Sequence, residues 1–211
     1  MSNSLVEQNR PTLATFVAAN AVLIYLLIVG YSPKVELASM IGTLLESAAA
    51  MTAFGILVVL LGGVLPAVAK DRIVFLRWNH ALPGHRAFER QFLKDPRLDE
   101  AALKKKLGGK FPDEPEKQNE TWYKLYRKHS DAISVSQAQA AFLLTREMTV
   151  ICLVLFIVFA IGVAWKPRLA QSAYYVPLWL LLIVETALSW LAARTYGRAF
   201  VANVLVEESI A

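Results

Sequence analysis

Long uncharged runs alternate with one densely charged stretch along this chain. Pro11 to Pro33 carries no charge, Leu37 to Ala69 carries only Glu46, Met148 to Trp165 carries none, and Leu169 to Arg194 holds Glu185 as its only internal charge. A helix rises 1.5 Å per residue, so about 20 mostly apolar residues cross a hydrocarbon core of roughly 30 Å. Each run has that length. Their continuity, in place of a period-two alternation, excludes a spanning β-barrel. The pattern predicts an all-α membrane protein with four transmembrane helices arranged as two hairpins, closed by the short connections Ser32 to Glu36 and Lys166 to Ser172. Three parts follow: an N-terminal transmembrane hairpin over 1–69, a basic cytoplasmic helical segment over 70–146, and a C-terminal transmembrane hairpin with a short cytoplasmic tail over 147–211.

Charge then sets the orientation. Residues 70 to 147 hold sixteen of the 22 Lys and Arg and eleven of the 17 Asp and Glu, so the centre carries the whole net charge of +5. The hairpin connections contribute only Lys34, Lys166 and Arg168, whereas Arg10, Arg194 and Arg198 flank the opposite span ends. By the positive-inside rule the N-terminus, the centre and the C-terminus are expected in the cytoplasm. Trp165, Tyr174 and Tyr175 then fall at the outer interface, and Trp190 and Tyr196 at the inner one. The first run follows Met1 to Pro11 with no small-residue cleavage site at a suitable distance, and it reads as a retained helix. A single cysteine, Cys152, inside an apolar run allows no intramolecular disulfide and no thiolate metal cluster.

The central segment shows short helix signals. Beyond Pro66, where a kink is expected, Asp71 to Trp78 should continue the second helix. Leu82-Pro83-Gly84 makes a turn, a helix is expected over Arg86 to Leu93, and another starts at Asp95-Pro96 and ends at Gly108-Gly109. Pro115 opens a further helix through Tyr126 and Lys128. Ser134 with Gln137 resembles a capping box leading without a break into the third span. Charge of this density leaves little apolar material for a large separate core, so the segment is expected to pack on the inner ends of the spans or on copies of itself.

Candidate functional residues fall into three groups. Glu185 lies eleven residues in from Tyr174, roughly 16 Å by helical rise and near the bilayer midplane. An ionised carboxylate facing lipid there costs about 3 kcal/mol on insertion scales, so it should face protein or water. Ser189 shares its face, and Glu46 sits on a similar stripe of small residues. Rings of Glu46 and Glu185 repeated by oligomerisation would give a cation-preferring path; the plainer alternative is that each fixes helix packing, as expected of Asn20. Gly62, Gly63 and Pro66 form a candidate gating hinge. Arg86, Arg90, Lys104, Lys105, Lys106, Arg127 and Lys128, with Trp122 and Tyr126 among them, form a candidate site for an anionic nucleotide or oligonucleotide; contact with the anionic inner leaflet competes with it. His80 and His85 flank a Pro-Gly break and lack the i, i+4 spacing that seats zinc. No phosphate loop, dinucleotide fingerprint, catalytic serine elbow or kinase signature is present, so no enzyme and no cofactor is expected.

In layout, two helical hairpins around a compact basic cytoplasmic part with the Arg77 to Phe88 stretch, the chain resembles small four-span membrane effectors of bacterial anti-phage defence, the Hailong-type channels among them. The resemblance implies a homo-oligomeric pore in the bacterial inner membrane, opened or closed by a nucleotide or oligonucleotide signal, whose opening depolarises the cell. It transfers no site residues. A homo-oligomeric channel gated through the cytoplasmic segment is therefore the expected function. A non-enzymatic anchor that recruits a partner through the basic segment is the alternative, and an interfacial enzyme using His80 and His85 ranks third.

Overall fold

The computed structural model describes residues 5–29, 37–165 and 175–211; the connections expected at Ser32 to Glu36 and Lys166 to Ser172, and Tyr174, lie outside them. Among the described residues every regular element is helical. Four long helices carry the apolar runs: α1 (Leu5–Val29), α2 (Leu37–Val64), α7 (Ile133–Trp165) and α8 (Tyr175–Ile210). Between them lie α3 (Ala67–Phe75), a 3-10 turn (Pro83–Arg86), α4 (Arg90–Leu93), α5 (Glu100–Lys106) and α6 (Pro115–His129). Among the described residues α7 and α8 are long and apolar enough to cross a membrane, with mean hydropathy of 2.8 and 1.8 over their most apolar stretches. Only 28% and 17% of those stretches is buried, unlike the core helix of a soluble protein.

The chain divides into two compact units. One comprises Asn9–Leu65 and Glu147–Ser189. Its core draws on all four long helices, with Val17, Val58, Ile151, Leu155, Leu178 and Leu182 buried together.

The other unit comprises Met1–Gln8, Pro66–Arg146 and Trp190–Ala211. Here the C-terminal end of α8 supplies much of the core that the charged centre lacks. Phe200, Val201, Val204 and Leu205 are buried against Trp122, Leu125, Val135 and Phe142. α6 shows how sequence places these contacts. Pro115 stands at its first position, Glu116 in its first turn and Arg127, Lys128 and His129 in its last, which matches the helix dipole. Gln118, Trp122 and Leu125, at i, i+4 and i+7, form its buried face.

Several helix starts differ from the sequence expectation. Asp95 does not cap a helix: its carboxylate holds Arg97 at 2.8 Å, and Asp99 caps α5 by accepting from the Ala102 amide at 2.9 Å. The helix expected over Arg86 to Leu93 is divided, because Glu89 is extended with ψ 152°. α2 and α3 are separated at Pro66, which has φ −64° and ψ 152° and no amide to continue the ladder. The Ser134 hydroxyl donates to the Glu207 carboxylate, so α7 starts at Ile133 without a capping box at that residue. From there α7 runs unbroken to Trp165, as expected.

Gly84 owes its place to a close approach. A Cβ there would stand 2.6 Å from Cε3 of the Trp122 ring, which is itself buried. Gly84→Ala is expected to lower stability by about 1–3 kcal/mol through overpacking, read as a lower Tm of the purified protein.

A polar pair among apolar helices, and a buried ionic cluster

The first unit contains a small polar site inside its apolar core. Asn20 of α1 is only 3% exposed, and its side chain stands beside the Glu185 carboxylate of α8. Asn20 Nδ2 also donates to the Phe16 carbonyl at 3.1 Å. Two acceptors remain: Asn20 Oδ1 and Glu185 Oε2 are buried without a hydrogen-bond partner. One helical turn along α8, the Ser189 hydroxyl donates to the Thr186 carbonyl at 3.1 Å and stands 3.9 Å from Cys152 Sγ of α7. The structure thus brings Asn20 of α1 to the face of α8 that carries Glu185 and Ser189, residues that the sequence singled out on two helices. Cys152 joins them. As a lone thiol in an apolar run it carried no signal of its own.

Glu46 is placed otherwise. It is exposed on α2, as are Ala48, Ala49, Thr52 and Ala53 beside it. The two carboxylates therefore do not share one environment: Glu185 looks into its own unit and Glu46 looks out.

In the second unit, the basic and aromatic residues read as a ligand site separate into two kinds. Trp122 is 5% exposed and stacked on Tyr126 with centroids 5.8 Å apart; it also meets Phe200 edge-on, so its faces are taken by the core. Tyr126 donates its hydroxyl to Gln139 Oε1 at 3.1 Å. Lys128 pairs with the buried Glu208 carboxylate at 2.7 Å, and Lys106 donates to the Glu208 carbonyl at 2.6 Å, near the negative end of α8. Arg86 is paired with Glu89 at 3.3 Å. Arg90, Lys104, Lys105 and Arg127 are exposed. Trp122, Tyr126, Lys106 and Lys128 thus make contacts that hold the unit together.

Glu208 is the centre of that holding. Burial would raise its pKa, but hydrogen bonds and charge from Lys128 and His129, the latter at 2.6 Å, outweigh burial and keep it below the ordinary carboxylate value. A carboxylate lowered on folding stabilises the protein above its unfolded pKa of about 4.3 and loses that contribution as pH falls through the folded pKa. Tm measured from pH 7 to pH 3 should accordingly show the wild type more stable than Glu208→Gln at neutral pH, with the gap closing below about pH 4.

The two histidines do stand together, with ring centroids 5.4 Å apart. His80 Nδ1 meets Glu116 Oε1 at 3.0 Å, and His85 Nδ1 is buried without a partner. Burial first, and then His80, lower the pKa of His85, which favours its neutral form. Among the described residues no three His, Cys, Asp or Glu side chains are arranged to hold a metal ion.

Comparison of the chain with protein-family models, with curated proteins and with solved structures gives no match.

Proposed function

We propose that this chain crosses a bilayer four times as two hairpins and works as a homo-oligomeric ion channel, gated through the unit built on Pro66–Arg146 and the end of α8. The observation that carries the reading is the Asn20–Glu185 pair. Asn20 is ten residues from Arg10 and Glu185 nine from Arg194, so the two flanking arginines, at the same face, give both side chains the same depth. That depth is close to the midplane of a 30 Å core. Two buried acceptors without donors, each costing about 1–3 kcal/mol, are expected to have an occupant such as water or a small cation. Ionisable groups at this depth are costly, and ion and proton pathways are among the functional sites they mark.

Two further observations support the reading. Glu46 and its small neighbours are exposed on α2, which suits a surface shared with other copies around a polar axis. Gly62 and Gly63 precede the break at Pro66 and are not required by packing: a Cβ at Gly63 would meet nothing within 4 Å, and one at Gly62 would meet Val150 at an ordinary 3.6 Å. Two glycines beside a proline lower local helix stability by about 1 kcal/mol each, as befits a hinge. Placement in a bacterial inner membrane and depolarisation of the cell on opening rest on the resemblance to four-span defence effectors alone. The exposed Lys104, Lys105 and Arg127 favour the alternative of an anchor that recruits an acidic partner.

Current across a planar bilayer containing the purified protein tests the channel reading. Discrete conductance steps that prefer cations support it. A bilayer that stays tight with protein inserted, with and without nucleotides and oligonucleotides, refutes it.

A further inference from the structure

The first unit carries a furrow between α1 and α2. Ala14, Ala18 and Ala21 recur on α1 at i, i+4 and i+7, and Ala48, Thr52, Gly55 and Val59 recur on α2 at i, i+4, i+7 and i+11, so each set forms one helical face. The two faces line the furrow together. The helices come close at Gly55, where a Cβ would stand 3.1 Å from Cγ1 of Val17; small residues permit that approach. Val17, Ala21 and Gly55 are buried, whereas Ala14, Ala18, Thr52, Ile56 and Leu60 are exposed along it. Thr52 has the one polar side chain among the lining residues.

Shape and chemistry decide what fills it. The furrow encloses about 440 Å³, room for about fifteen groups the size of a water or a methylene. Ala48 to Leu60 run about 18 Å by helical rise, so that volume leaves a cross-section of about 24 Å², about a quarter of that of a helix 10–12 Å across. One extended alkyl chain has this form, and a helix of a second copy does not. Walls with a single hydroxyl hold water poorly, and an empty furrow would forfeit dispersion contacts along its length. A charge stands at one end. Arg10 precedes Ala14 by four residues on the same line of α1, about 6 Å beyond it, and is exposed. A guanidinium there suits the phosphate at the head of such a chain. We propose that the furrow binds one acyl chain of a phospholipid whose phosphate is held by Arg10. The proposal rests on the membrane reading above and does not require conduction.

The test uses the full chain reconstituted into phosphatidylcholine vesicles. Two probes carry a photoactivatable diazirine in one acyl chain: phosphatidylglycerol, and diacylglycerol with the same chains and no phosphate. Labelled residues are mapped by mass spectrometry. Wild type is expected to take phosphatidylglycerol label at the furrow residues above the level at Leu180 and Leu188, which are exposed on α8. Diacylglycerol should label the furrow about fivefold less, and Arg10→Gln should lower phosphatidylglycerol labelling by a similar factor while leaving diacylglycerol labelling unchanged. Ala18→Phe fills the furrow from an exposed position and should bring its labelling down to the level at Leu180. Ala19→Phe adds the same ring at an exposed position that does not line the furrow, and should leave labelling unchanged. Circular dichroism checks that each variant folds. Furrow labelling no higher than at Leu180 and Leu188, equal labelling by the two probes, or equal loss in the two phenylalanine variants overturns the proposal. An unlabelled furrow together with a smaller assembly for Ala18→Phe, read by light scattering, overturns it in favour of a second copy. Absence of label from every helix refutes the membrane reading as well. A tight planar bilayer refutes the channel and leaves furrow labelling standing, so the failures are distinguishable.

Discussion

Glu185→Leu is expected to reduce cation current by about tenfold or more, while the variant is made and inserted at least as well as wild type. The two halves of this expectation come from one cost. A carboxylate at the centre of a spanning helix is unfavourable by about 3 kcal/mol on insertion scales, so leucine should ease insertion and leave the fold intact. A conduction defect would then be a defect of the path. Glu185→Gln keeps the shape and a polar group beside Asn20 but removes the charge that attracts cations. It should retain part of the current and lose cation preference. Asn20→Leu removes the amide beside Glu185 and should also lower the current, since the carboxylate then loses its polar neighbour. Single-channel recording of the three variants separates the readings. Unchanged conductance and selectivity in Glu185→Leu would make the pair a helix-packing contact and nothing more.

That pair also shows what the sequence could and could not convey. Spacing along each helix is legible, because it needs only the helical rise. Partnership is not. Periodicity gives the face of each helix but not the neighbour opposite, and Asn20 and Glu185 are separated by most of the chain. Cys152 and Ser189 were brought together in the same way. The placing of Glu46 on an open face and Glu185 on a closed one likewise depends on which helices are adjacent.

In the second unit, too, partners come from distant parts of the chain. Basic residues near aromatic ones resemble a nucleotide site when each is read with its sequence neighbours. Lys128 and Lys106 take their partner from Glu208, at the far end of the chain. Trp122 could have been recognised as core from its spacing with Gln118 and Leu125, a helical stripe on α6. The apolar spacing of Phe200, Val201, Val204 and Leu205 was equally visible, and it accounts for how a charged segment acquires a core: the end of α8 completes it.

The last strong effect concerns the buried pair of α3 and α7. Arg146 Nη1 lies 3.0 Å from Asp71 Oδ1, with the side chains 12% and 4% exposed, and the Arg146 guanidinium also sits 5.5 Å from the Phe142 centroid. Removing one member of such a pair leaves the other charge in a medium that solvates it poorly, at a cost of about 3 kcal/mol. Arg146→Met keeps the apolar stem against Phe142 and should lose stability mainly because the buried Asp71 carboxylate no longer has the guanidinium beside it. Asp71→Leu should lose a similar amount through Arg146. The double variant Asp71→Leu/Arg146→Met places apolar groups against each other and should recover to within about 1 kcal/mol of wild type, because the desolvation of both ions is then avoided. Thermal unfolding of the four proteins in one detergent forms the cycle. Additive losses in the double variant would mean that each charge is held by its other neighbours and not by its partner across the two helices.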